Sequence, residues 1–159
     1  MKKLSAQIKK QKAFTLIEVL VVIVIIATLA VTVFVALNPA KRIIDANNAR
    51  RGTDVQTVLS AIHASIVDSK GTLPTGLSTS MAETQIGTSV LACDTPAGCG
   101  AVVACWNAAT NLSAYLKSNP FDPKTGATTK TRYSVTVDGN NIVTIKACDA
   151  EGTTISASR

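Results

Sequence analysis

The chain carries one carboxylate, Glu18, at the start of a segment whose other side chains favour a hydrocarbon environment. Residues 19–37 include only two polar side chains, those of Thr28 and Thr32. A charge near the centre of a membrane helix costs about 2.5–3.5 kcal/mol on insertion scales, so such a residue usually has a charged partner and a function. Alternatively, Glu18 occupies the first turn of a helix near the lipid headgroups, where the helix dipole stabilises an acid. The first interpretation predicts a partner of opposite charge.

Four cysteines form a second candidate group, Cys93, Cys99, Cys105 and Cys148. The first three follow a C-x5-C-x5-C spacing, which differs from the C-x2-C pairs typical of zinc sites. The outer side of a membrane is oxidising, and this favours disulfide bonds over free thiols or metal ligands. Four cysteines allow three pairings. We expect Cys93–Cys99 as a local loop, and Cys105–Cys148 as a bond between a short helical region and a C-terminal hairpin.

The remaining residues offer little catalytic chemistry. His63 is the one histidine, so the chain has neither a Ser–His–acid set nor a histidine-rich metal site. A glycine-rich phosphate-binding motif is also missing from the sequence. Asp122 lies between two prolines, where it forms either a turn or part of a calcium-binding loop, and the turn is the favoured interpretation. The sequence therefore predicts a protein that is not an enzyme and that needs no cofactor and no metal.

The positive charge of the chain is concentrated at its N-terminus. The net charge is +6, and five lysines precede residue 13 with no acid among them. The rest of the chain has eleven basic and ten acidic side chains, so it is nearly neutral. Binding to nucleic acid requires a basic patch on the folded body. We therefore expect no nucleic-acid partner, and we connect the lysines with targeting.

A membrane-spanning helix is the element that must position Glu18. About 20 apolar residues, or about 30 Å of helix, suffice to cross a bilayer, and residues 19–37 meet this length. Lipid leaves the backbone no other way to satisfy its hydrogen bonds. A cleaved secretory signal is the alternative, but its apolar core is usually shorter and uncharged. Slightly more basic residues precede the span than follow it, which favours a cytoplasmic N-terminus.

The segment "AFTLIEVLVVIVIIATLA" closely resembles the N-terminus of type IV prepilins and of the related pseudopilins of type II secretion. The resemblance implies that a membrane aspartyl peptidase cuts between Ala13 and Phe14, removes residues 1–13 as a leader, and methylates Phe14. It also implies that Glu18 pairs with the amine of Phe14 in a neighbouring subunit and so guides filament assembly. The family usually has glycine where this chain has Ala13.

The remaining sequence predicts an α+β, pilin-like fold. Pro39 predicts a kink after a transmembrane or filament-core helix at 14–38, and the helix continues as an amphipathic segment at 39–70. Its apolar stripe comprises Val55, Val58, Leu59, Ile62 and Ile66. The head, 71–159, begins with an irregular region and a short helix in "TNLSAYLKSNP". It ends with an antiparallel sheet: alternating residues at 132–137 and 142–148 flank "DGNN" and predict a hairpin, and 153–157 predicts a third strand.

These features predict a structural subunit of a type IV pilus-like filament. The subunit would be inserted in the inner membrane as a prepilin, with one span and a cytoplasmic N-terminus, and would later be part of an extracellular filament. Its partners would be the prepilin peptidase, other copies of itself and related pilins, and the membrane assembly platform. A pseudopilin of a type II secretion system, and a membrane-anchored binding protein that never polymerises, are the alternatives.

Overall fold

The structure, a computed structural model, describes residues 13–88, 93, 99 and 105–159. Residues 1–12 of the predicted leader lie outside this range. The elements follow in the order α1 (Leu16–Leu37), α2 (Pro39–Asp68), β1 (Met81–Gln85), α3 (Ala108–Asn111), β2 (Tyr133–Val137), β3 (Val143–Ala147) and β4 (Ile155–Ser158). The predicted α+β class is confirmed, with a long N-terminal helical run and a small antiparallel sheet. The chain divides after Arg42 into two compact units.

None of the residues of helix α1 is buried in the part of the chain that the structure describes. Its leucine, isoleucine, valine and phenylalanine side chains are each about half exposed or more. By length and composition, the helical run that contains α1 has a window suited to crossing a membrane, within the part of the chain that the structure describes. Apolar surface of this extent requires lipid or other helices around it.

The predicted interruption of the helix lies at Asn38. This residue adopts a left-handed conformation with φ of 40°, which ends α1. Pro39 then begins α2, and proline suits the first position of a helix because it has no N–H to leave unpaired. The side chain of Asn38 accepts a hydrogen bond of 3.3 Å from the backbone N–H of Lys41, so one residue both ends α1 and caps α2.

The second unit, Ile43–Arg159, contains most of α2 together with residues 71–159, and from here on the name head refers to this whole unit. Its four strands pair in the order β1-β2-β3-β4, and all pairs are antiparallel. The predicted hairpin is confirmed, with Tyr133 opposite Ala147 and Val137 opposite Val143. Alternate residues of β2 and β3 point to the helix side and form one core with the apolar stripe of α2. In that stripe Val55, Val58, Leu59 and Ile62 are buried, as the spacing predicts.

Two local predictions are wrong. The short helix lies at Ala108–Asn111, earlier than the predicted segment, because Asn107 caps it through a hydrogen bond to the N–H of Thr110 and turns follow from Leu112. The region predicted as irregular contains strand β1, whose five residues Met81–Gln85 are mostly polar. An irregularity in its register with β2, between Met81 and Thr84, breaks the alternation that would identify the strand in the sequence.

Candidate functional site

The predicted cleavage site, Ala13 and Phe14, lies just before α1 and outside the helix. Phe14 is 80% exposed. Thr15 is the N-cap residue, with an extended backbone at ψ of 151°, and its hydroxyl oxygen accepts a 3.3 Å hydrogen bond from the N–H of Glu18. The backbone hydrogen bonds of the helix begin here, because the N–H of Val19 donates to the carbonyl of Thr15. The bond predicted to be cleaved is therefore followed by a well-defined helix start.

Glu18 lies in the first turn of α1, three residues after the N-cap. At this position the helix dipole stabilises its charge. Glu18 is exposed and has no ion-pair partner within residues 13–88, 93, 99 and 105–159. It shares a shallow groove with Phe14, Val19 and Val22. The fold thus places the two residues predicted to act in assembly on one side of the helix start, and leaves the carboxylate accessible to another molecule.

Within the head, a buried ion pair that the sequence did not predict joins α2 to the loop at Asp122. Arg51 and Asp122 have fully buried side chains. The Nε–H of Arg51 donates to Oδ2 of Asp122 at 2.5 Å, and its Nη2 donates to Oδ1 at 3.2 Å. Nη1 of Arg51 donates to the side-chain oxygen of Asn48 at 2.7 Å. Paired contacts of this kind fix the orientation of both side chains.

The loop around Asp122 supports the turn interpretation of this residue. Its Oδ1 accepts hydrogen bonds from the backbone N–H groups of Lys124 at 2.8 Å and Thr125 at 3.0 Å. Gly126 closes the loop by donating to the Asp122 carbonyl at 3.1 Å, and a Cβ atom at Gly126 would collide with the Asp122 backbone. Both carboxylate oxygens face hydrogen-bond donors, so a calcium ion would have to displace the Arg51 guanidinium. The predicted turn is confirmed.

Two further polar contacts join α2 to other segments of the head beside the ion pair. The hydroxyl of Tyr133 donates to Asp54 at 2.8 Å, and Asn48 exchanges hydrogen bonds with the backbone of Glu151 at 2.8 and 3.3 Å. We call the three contacts Arg51–Asp122, Asp54–Tyr133 and Asn48–Glu151 the polar clasp. Its helix residues lie at spacings of three, in line with the apolar stripe. Arg51 lies four residues before Val55, so it is in line with the apolar stripe. A charged residue at such a position is the sequence signal that would have predicted a buried ion pair at Arg51.

The clasp shifts the pKa values of three side chains, those of Arg51, Asp122 and Tyr133. Burial alone would raise the pKa of the Asp122 carboxyl, but the hydrogen bonds from Arg51 and from two backbone N–H groups outweigh it and lower that pKa. The hydrogen bond to Asp122 raises the pKa of Arg51 despite its burial. Burial, followed by the hydrogen bond to Asp54, raises the pKa of Tyr133 well above its ordinary value. The folded head therefore favours the ion pair and the neutral phenol.

We expect the head to lose stability as the pH rises above about 10, the ordinary pKa of tyrosine. The pKa of Tyr133 is higher in the folded state than in the unfolded state. The neutral phenol therefore makes its full contribution to the unfolding free energy below the unfolded pKa. That contribution is lost as the pH rises toward the folded pKa. The slope of the unfolding free energy approaches about 1.4 kcal/mol per pH unit for one group. Urea unfolding of the full chain in detergent micelles at several alkaline pH values measures it.

The Tyr133→Phe variant is the control for this pH dependence. It keeps the ring in the core but has no phenol to ionise, so its stability should depend less steeply on pH above 10. The exposed Tyr115 also has a raised pKa, because its hydroxyl donates to Asp68. Tyr115→Phe should leave most of the slope in place. Equal slopes for the unaltered chain and Tyr133→Phe would contradict the prediction.

The four cysteines form two disulfide bonds, and the predicted pairing is wrong. Cys93 bonds to Cys105, with Cα atoms 5.3 Å apart, and Cys99 bonds to Cys148, with Cα atoms 5.1 Å apart. The isolated parallel bridge between Ile86 and Trp106 is the physical reason. It brings Cys105 back beside the end of β1, where Cys93 also lies, with its sulfur 3.9 Å from the carbonyl oxygen of Gln85.

The N-terminal segment is the part of the chain that matches a known protein family. Residues 8–34 match the family described as the prokaryotic N-terminal methylation motif. No curated protein and no solved structure matches the chain. The matched residues include Ala13, Phe14 and Glu18 and most of α1, and the family of this motif is structural rather than catalytic. The chain therefore carries the N-terminal methylation motif that is the hallmark of type IV pilin and pseudopilin precursors.

Proposed function

We propose that the chain is the precursor of a subunit of a type IV pilus-like filament. A prepilin peptidase cleaves it between Ala13 and Phe14 and methylates the new N-terminus of Phe14. The mature subunit then polymerises, with Glu18 paired to the Phe14 amine of the next subunit. The match of residues 8–34 to the methylation motif is the observation that carries this proposal.

The physical chemistry of α1 supports a polymerising subunit. The helix has no buried residue, so its apolar surface has to be covered by lipid before assembly and by other helices afterwards. Glu18 is exposed at the start of this helix, and an amine from a second molecule would neutralise it in a medium of low polarity. The contact is between different surfaces of successive subunits, so it repeats without closing and generates a helical fibre.

The location and partners follow from this proposal. The hydrophobic helix and the motif fit a membrane-anchored precursor. We propose that its N-terminus is cytoplasmic, where the leader of residues 1–13 is removed, and that the head lies on the outer side, where its disulfide bonds are stable. Copies of the same chain, related pilins and a membrane assembly platform are the proposed partners of the mature subunit.

Mass spectrometry of the mature N-terminus tests the proposal. We expect N-methylated phenylalanine at position 14. A retained Met1 or a cut near Ala30 would instead indicate a non-polymerising anchored protein or a secretory signal. Shearing of cells, followed by detection of the chain in long fibres, distinguishes a pilus from the shorter assembly of a secretion pseudopilus, which has the same N-terminal chemistry.

Substitution of Glu18 by glutamine should reduce filament yield at least tenfold and leave membrane insertion unchanged. The neutral amide occupies the same volume but cannot neutralise the Phe14 amine, and the unpaired ammonium is costly in an apolar filament core. Sheared-fibre yield and membrane fractionation measure the two properties. Thr28→Val is the matched control, because the Thr28 hydroxyl bonds at 2.8 Å to the Ile25 carbonyl of its own helix. Normal fibre yield from Glu18→Gln would remove Glu18 from assembly.

A further inference from the structure

The junction between the leader and α1 has one residue that can begin a helix. Thr15 has an extended backbone, and its hydroxyl accepts from the N–H of Glu18. Serine, threonine, aspartate, asparagine and glycine are the residues that favour this capping position. Residues 6–14, "AQIKKQKAF", contain none of them. Thr15 is thus the first N-cap residue after Ser5.

The sequence before Thr15 would otherwise continue the helix toward the N-terminus. Alanine, lysine and glutamine dominate residues 6–13, and these are among the strongest helix formers. Ala13, directly before the proposed cut, has the highest helix propensity of all residues. In that segment the sequence offers no glycine or proline to stop the helix. The capping hydrogen bond of the Thr15 hydroxyl therefore keeps Ala13 and Phe14 out of α1.

A helical conformation would protect the bond between Ala13 and Phe14. In a continued helix the Ala13 carbonyl would accept from the N–H four residues later, that of Ile17. In the structure the first carbonyl of the helical ladder belongs to Thr15. A non-helical segment before it can adopt the extended form in which a main chain pairs with an enzyme as an added strand. Hydrolysis adds water across the bond: the water oxygen joins the Ala13 carbonyl carbon, the C–N bond breaks, and the Phe14 nitrogen takes the proton.

We propose that Thr15 is a positioning residue for processing, because its N-cap sets the start of α1 after Phe14 and so keeps the scissile bond between Ala13 and Phe14 in a non-helical segment that a peptidase can cleave. This inference rests on the proposed function, because it requires cleavage between Ala13 and Phe14. It assigns to Thr15 a role in the precursor that is separate from the role of Glu18 in the mature subunit. Thr15 acts through the conformation of its neighbours.

The test uses the full-length precursor in phospholipid vesicles with a prepilin peptidase, and intact-mass spectrometry follows loss of the leader. Thr15→Val keeps the shape of the side chain but has no hydroxyl, and we expect its cleavage to be about fivefold slower, the loss typical of one N-cap. Thr15→Ser keeps the hydroxyl and should be cleaved at the normal rate. Thr28→Val makes the same change elsewhere in α1 and should also be cleaved normally.

A second variant separates conformation from direct contact with the enzyme. Glycine at position 13 weakens a helix there, and Ala13→Gly alone is the reference because it also changes the contact with the peptidase. Relative to Ala13→Gly, the added Thr15→Val should slow cleavage much less than it does in the unaltered chain, and this smaller loss is the rescue. Backbone chemical shifts of Ala13 and Phe14 in micelles should be helical in Thr15→Val and non-helical in the unaltered chain.

Each outcome decides between the two proposals. Equal cleavage of the unaltered chain and Thr15→Val would overturn the inference alone, as would slow cleavage of Thr15→Val without helical shifts and without rescue by glycine. Resistance of the unaltered chain at this bond would overturn the proposed function, and with it the substrate on which Thr15 acts.

Discussion

Replacement of Arg51 by alanine is expected to lower the unfolding free energy of the head by about 3–5 kcal/mol, the range for breaking a buried ion pair by removing one partner. The side chains of Arg51 and Asp122 are both fully buried. Without the guanidinium, the Asp122 charge stays in the interior with only its hydrogen bonds to the loop. Urea unfolding of the full chain in detergent micelles measures the change. Trp106, the one tryptophan, is 5% exposed in the core and reports it by fluorescence.

Arg50 provides the matched control for Arg51. It is the preceding residue, its side chain is 54% exposed, and it lies 3.8 Å from Asp54 and 5.8 Å from the centre of the Phe121 ring. Exposed contacts of this kind contribute about 1 kcal/mol or less. Arg51→Met with Asp122→Leu removes both charges and should regain most of the stability, because an apolar pair needs no desolvation. Equal losses for Arg50→Ala and Arg51→Ala would contradict the assignment.

Removal of the disulfide bond between Cys99 and Cys148 should lower the unfolding free energy by about 4 kcal/mol, because this bond closes a long loop in the unfolded chain. The sequence separation is 49 residues, against 12 residues for Cys93 and Cys105. The chain-entropy estimate for the shorter loop is about 3 kcal/mol, so paired alanine substitutions at Cys99 and Cys148 should be the more destabilising change. Urea unfolding monitored by Trp106 fluorescence compares the two pairs under identical conditions.

Reduction provides the control for the disulfide comparison. Under a reducing agent the unaltered chain and both alanine-pair variants should converge in stability, because the covalent loops are then open in all three. A variant lacking Cys93 and Cys105 that is less stable than one lacking Cys99 and Cys148 would contradict the loop-length argument. Persistent differences after reduction would assign the effect to packing of the sulfur atoms instead.

Local patterns were sufficient to predict the two long helices and the hairpin. The spacing of apolar residues indicates directly which faces of each helix lie in an apolar environment. This holds for the apolar run before Leu37 and for the stripe from Val55 to Ile62. The alternation in β2 and β3 does the same for one sheet face. Pro39 marks the interruption because the effect of proline on the backbone is local. These elements depend on neighbours within a few residues.

Two of the missed features, the buried ion pair and the disulfide pairing, depend on contacts between distant segments. Arg51 and Asp122 are separated by 71 residues, and neither residue alone indicates that the other will neutralise it. The disulfide pairing follows from the bridge between Ile86 and Trp106, which proximity along the chain does not reveal. The N-cap of Thr15 is local and could have been identified from the threonine followed three residues later by Glu18, a recognised helix-start pattern.

The position of the polar clasp along α2 has a mechanical consequence. Traction on the N-terminal part of the chain enters the head through α2 and meets Asn48, Arg51 and Asp54 before it meets the apolar stripe. Directional bonds between charged or polar atoms weaken steeply over a fraction of their length, so they resist the first displacement stiffly. Apolar contact has no preferred direction and yields gradually. A pull on the N-terminal end of α2 should therefore load the polar clasp before it loads the apolar stripe.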